Sequence, residues 1–175
     1  MKQTLTIENP PLDFGDTTFL SIVTQEPEYL LADSLNRLYD LSLAREADLM
    51  PFGYPYYVST DISHSPLVYR LVSLAGTDRG FLLIVSGSER ARGEALRICD
   101  EFCAPIAEPN PYELPDVERE EILNRYRRSL TMVSEIKFTE EELEQASSSK
   151  RRALKGRVAL ADLYARIMDA IDLAS

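Results

Sequence analysis

At 175 residues the chain has the usual length of one domain, and folding at that length buries roughly 70% of the surface an unfolded chain exposes, so no disulfide or metal staple is required. With 45% hydrophobic and 27% charged residues the composition is that of a globular protein, which excludes wholesale disorder and a fibrous repeat. The net charge of −10, from 29 acidic against 19 basic residues, opposes binding to a phosphate backbone or to an anionic membrane surface.

The segment 1–14 carries one lysine and then Glu8, Pro10, Pro11 and Asp13 where a secretory signal would need an apolar run, so no export is expected. Residues 17–25, TTFLSIVTQ, are rich in β-branched and aromatic side chains and predict a strand, and Pro27 suits the first turn of a helix. From Glu28 onward Leu31, Leu35, Leu38 and Tyr39 recur at helical spacing, leaving Asp33, Arg37 and Asp40 to solvent. Residues 42–53 show neither period and are expected to form an irregular connection ending at Pro51 and Gly53. Three short strands follow at 56–62, 67–75 and 80–86, and the turns between them predict an antiparallel meander. The stretch 81–85 is apolar throughout, which marks a central strand and falls far short of the ~20 residues needed to cross a bilayer.

Ser86 and Glu89 have the spacing of a capping box, and Ala91, Ala95, Leu96, Ile98, Cys99, Phe102 and Cys103 give the next helix its stripe. Prolines make 104–115 an extended surface loop. Val117, Ile122, Leu123 and Tyr126 predict a helix over 116–128, and 130–138 then alternates as a strand. Thr139 and Glu142 form a second capping box, opening a helix that Ser147 to Ser149 and Gly156 interrupt before it resumes to Leu173.

The order β-α-β-β-β-α-α-β-α predicts the α+β class: a two-layer sandwich of one mainly antiparallel sheet with its helices mostly on one face. Residues 1–146 are expected to form the domain and 147–175 a C-terminal amphipathic helix. Phe19, Ile22, Val23, Leu31, Leu35, Leu38, Val72, Leu83, Ile84, Leu96, Phe102 and Ile136 are expected to share one core.

Three segments resemble the bacterial IPExxxVDY family. They are Phe19-Leu-Ser-Ile-Val23, then Tyr29-Leu-Leu-Ala through Leu35-Asn36, and Leu130 to Phe138 with the acidic helix start behind it. The Ile-Pro-Glu and Val-Asp-Tyr elements of that family are not found here. The resemblance implies a compact α/β domain of unassigned function and carries over no catalytic residues.

The candidate anion site is the loop after the central strand, where Gly87, Ser88, Arg90, Arg92 and Gly93 combine a strand exit, free backbone N–H groups and two cations. It lacks the Lys-Ser/Thr pair of a P-loop and the Gly-x-Gly-x-x-Gly spacing of a dinucleotide fold, and its plain reading is a capped helix. His64, with Asp61, Ser63 and Ser65 beside it, lies in an extended turn whose members do not converge as a triad. Cys99 and Cys103 make half a soft-metal site at best, and are expected to be reduced apolar members of a buried stripe. No metal or cofactor is expected. Glu118, Glu120 and Glu121, like Glu140, Glu141 and Glu142, sit at helix starts, where they complement the macrodipole.

Lys150, Arg151, Arg152, Lys155 and Arg157 form a basic cluster without interleaved aromatics that could meet RNA, a phosphate ligand or an acidic partner face, and its plain reading is a polar helix face docking on the protein's own acids. Phe52, Tyr54, Tyr56 and Tyr57 are expected to divide between core and a recognition surface. In the last helix Leu160, Leu163, Tyr164, Ile167 and Ile171 form an apolar stripe suited to an interface with a second copy. The expectation is a cytosolic, non-catalytic domain that binds a protein partner or itself. A small-ligand or phosphate-binding protein, even an enzyme, acting through 87–93 is the first alternative, and a nucleic-acid accessory protein acting through 150–157 the second.

Overall fold

In the computed structural model, which describes residues 13–59, 66–74, 80–106, 112, 117–147 and 154–174, the elements run β1 Thr17–Val23, α1 Glu28–Tyr39, β2 Leu43–Leu49, β3 Tyr54–Ser59, β4 Val68–Ser73, β5 Phe81–Ser86, α2 Ala91–Cys103, α3 Val117–Arg128, β6 Met132–Ile136, α4 Glu140–Ser147 and α5 Gly156–Ala174. The expected order runs through this list, with β2 added and the last helix divided in two. The protein is α+β. Its six strands form one antiparallel sheet in the order β2-β3-β4-β5-β1-β6. The turns around His64 and over 75–79 lie outside the described residues.

The stretch expected to be irregular forms β2. Its sequence LAREADL does not alternate, because an edge strand held by backbone pairing to β3 needs only Leu43 and Leu49 buried. Its start is fixed by α1, where the Asn36 side chain accepts from the Leu43 N–H at 2.8 Å and donates to the Leu43 carbonyl at 3.1 Å. The amide imitates a neighbouring strand at the sheet's outer corner.

Packing divides the chain into two units, Asp16–Ile136 and Lys137–Ser175 with Met1–Gly15. In the first, Leu20, Ile22, Leu71, Phe81, Leu83, Val85 and Val133 share one sheet face, packed with Leu31, Leu35 and Leu38 of α1, Ala95, Ile98 and Phe102 of α2, and Leu123 and Tyr126 of α3. The twelve residues expected to share this core divide instead. Phe19, Val72 and Ile84 are buried on the other sheet face, as the two-residue period of a strand demands. Val23, Leu96 and Ile136 are only half-buried.

Polar bonds tie the helices together. Arg127 donates to the Glu101 carbonyl at 2.7 and 3.1 Å, supplying the cationic end that the last turn of α2 lacks. The Tyr126 hydroxyl donates to buried Ser34 at 2.8 Å, joining α3 to α1. In the second unit the expected capping box at α4 is formed: Thr139 N–H bonds Glu142, and Glu142 N–H bonds the Thr139 hydroxyl, both at 3.2 Å. There Phe138 meets Tyr164 edge-on at 5.5 Å with Arg157 above its ring, and Arg157 also donates to the Lys137 carbonyl and forms an ion pair with Glu142. Among the described residues no helix is long and apolar enough to cross a membrane.

Candidate functional site

The two edges of the sheet differ. Every residue between Leu43 and Leu49 of β2 is exposed; Arg45 is paired with Asp48 along the strand, and the register slips between Glu46 and Leu49. Charges and a bulge are the usual means of blunting an edge. At the opposite edge β6 pairs with β1 in unbroken register, and its one acid, Glu135, is held by Arg92 of α2 at 3.0 Å. Met132 is 64% exposed and Leu130, just before the strand, 84% exposed.

Leu130 adopts the left-handed conformation (φ 56°) behind α3, and the next N–H returns to the Tyr126 carbonyl at 3.2 Å. Glycine is the usual residue at such a helix end, because a side chain there costs roughly 1–2 kcal/mol. An exposed leucine is therefore held at a strained position beside an edge strand of unbroken register.

Cys99 and Cys103 both donate to the Val133 carbonyl of β6 at 3.3 Å. Cys103 is exposed rather than part of the buried stripe, because α2 ends there, and Cys99 is half-buried. Burial first, and then the neighbouring Cys103 thiol, push Cys99 up to about 11, so it stays protonated at neutral pH. Among the described residues no group of three or more His, Cys, Asp or Glu is placed to hold a metal ion.

At the candidate anion loop the strand, turn and helix are present, but the expected side chains do not converge. Arg92 is drawn to Glu135, and Gly93 lies inside α2. The capping box expected from Ser86 and Glu89 is not formed: Arg90 is the N-cap, and no side chain caps it. Ser86 is still a strand residue, opposite Thr17 and Val68, while Ser88 takes the Arg90 N–H at 3.2 Å. Gly87 (φ 119°) is required by the close approach of the chain, since a Cβ there would lie 2.6 Å from the Pro66 carbonyl oxygen.

The Ser86 hydroxyl accepts instead from Arg70 of β4 at 3.1 Å, a bond between neighbouring strands on the face away from α1, α2 and α3. The Arg70 Nε is buried with no hydrogen-bond partner. In the sequence Arg70 is marked only as one arginine between Val68 and Val72 on an otherwise apolar alternation.

The remaining candidates fall as follows. In α5, Leu160 and Leu163 are half-buried, and Tyr164, Ile167 and Ile171 are buried. Lys150, Arg151 and Arg152 lie outside the described residues, as does His64. Phe52 and Tyr54 stack at 5.0 Å, half-buried, while Tyr56 and Tyr57 are buried. No protein-family model matches this chain, and no curated protein matches it in sequence.

Proposed function

We propose that this chain is a non-catalytic, partner-binding domain whose partner is a second copy of itself, joined along β6. The observation that supports this reading is the contrast between the edges: β2 is charged and bulged, whereas β6 offers an unbroken strand with exposed Leu130 and Met132. A two-fold axis through Ser134 would set Met132 against Ile136 and Val133 against Glu135, so no like charges would face each other. Free Cys99 and Cys103 fit a cytosolic setting, where thiols stay reduced.

The test is the solution mass of the full chain beside two double variants. Leu130→Lys with Met132→Lys places charge on the edge at residues already exposed, so the fold should survive. Light scattering should report a dimer for the parent chain at micromolar concentration and a monomer for this variant, with unchanged circular dichroism. A parent chain that is monomeric at those concentrations would sink the proposal. Dissociation only by Leu160→Lys with Leu163→Lys would move the interface to the half-buried rim of the α5 stripe.

A further inference from the structure

We infer that Arg70 and Ser86 form a binding site for a small oxyanion, a carboxylate or phosphate group, on the sheet face away from α1, α2 and α3. This site is separate from the β6 edge and does not depend on self-association.

The argument begins with the disposition of the arginines. Arg37, Arg45, Arg92, Arg97, Arg119, Arg125, Arg127, Arg157 and Arg166 each lie within ion-pair distance of an acid. Among the other described arginines, Arg90 and Arg128 are exposed to solvent, whereas Arg70 is half-buried. Its neighbours in the strand register are Ile84, which is fully buried, and Val58. Its single bond goes from a terminal nitrogen to the neutral Ser86 hydroxyl at 3.1 Å, and its Nε is buried with no acceptor.

A guanidinium that has lost water on one edge and gained no anion is incompletely satisfied, and its planar fork matches two oxygens of a carboxylate or phosphate. Ser86 strengthens the match, because a hydroxyl that accepts from Arg70 keeps its own hydrogen to donate. Thr17 lies directly opposite Ser86 in the register, and alternation places its hydroxyl on the same face. The site thus combines one fixed cation with neutral donors. A chain of net charge −10 does not draw anions in from a distance, so selectivity must arise at the site itself.

Thermal melts and calorimetry in inorganic phosphate and in acetate, each against chloride at equal ionic strength, test this and tell the two oxyanion sources apart. A saturable rise in melting temperature with one of them, absent with chloride, is the expected result. Arg70→Met, which keeps the length without the charge, should abolish the response, and Ser86→Ala should weaken binding about tenfold, the loss of one hydrogen bond to a charged group. Should Arg70→Met fail to fold, Arg70→Lys keeps the charge but loses the fork and should also weaken binding. Equal responses to chloride, no response to either oxyanion up to millimolar concentration, or an unchanged response in the arginine variants would overturn the proposal.

Discussion

Tyr39, the last residue of α1, has the guanidinium groups of Arg97 and Arg119 each 5.6 Å from its ring centroid, and both arginines bond Glu101. Its hydroxyl is buried with no hydrogen-bond partner. Loss of water first, and then the Glu101 carboxylate, raise its ionisation well above the usual tyrosine range against the opposing pull of the two arginines. Below pH 10.0 the hydroxyl is neutral in both folded and unfolded chains; above it the unfolded chain releases the proton and the folded chain does not, so stability falls as pH climbs. Tyr39 contributes up to ~1.4 kcal/mol per pH unit, and Tyr57 and Tyr69, also raised by burial, act in the same direction. Tyr39→Phe should leave urea stability at pH 8 within about 1 kcal/mol of the parent, since an unsatisfied hydroxyl is lost, and should make the alkaline decline shallower. A loss above ~2 kcal/mol at pH 8 would show that the hydroxyl has a partner.

Leu83 is fully buried on the helix-covered face of β5, between β4 and β1. Leu83→Ala should cost about 2–5 kcal/mol in chemical denaturation, and a loss below ~1 kcal/mol would displace β5 from the centre of the sheet. That centrality was readable, because a strand buried on both faces has an unbroken apolar run, and so were the helices with a stripe every three or four residues. β2 was hidden because five exposed residues in a row carry no period; it is held by pairing to β3 and by the Asn36 side chain, and neither leaves a local mark. The two capping boxes had the same spacing, but only Thr139 stands free of a sheet, whereas Ser86 is still paired on both sides. For the same reason the loop 87–93 was legible, but the direction Arg92 takes was not. The cation nearest Ser86 comes from β4 through register, while Arg92, nearer in sequence, turns to β6.

At the scale of the molecule, two chains of net charge −10 repel each other on approach, and β6 offers no opposite charge to offset this. Dimerisation along β6 should therefore strengthen as salt rises, since the screening length shrinks from ~10 Å at 0.1 M to ~3 Å at 1 M. Sedimentation equilibrium at low and high salt measures this; an association that weakens with salt would mean that opposite charges form the interface. The sheet order also governs how the chain is made. β1 leaves the ribosome well before its partners, β5, about sixty residues later, and β6, still further on. At ~5–20 residues per second, TTFLSIV spends several seconds as an apolar ribbon with both margins unpaired, longer than β3 or β4 waits for its neighbour. A nascent chain paused before Phe81 emerges would thus display this segment to chaperones and to other nascent chains.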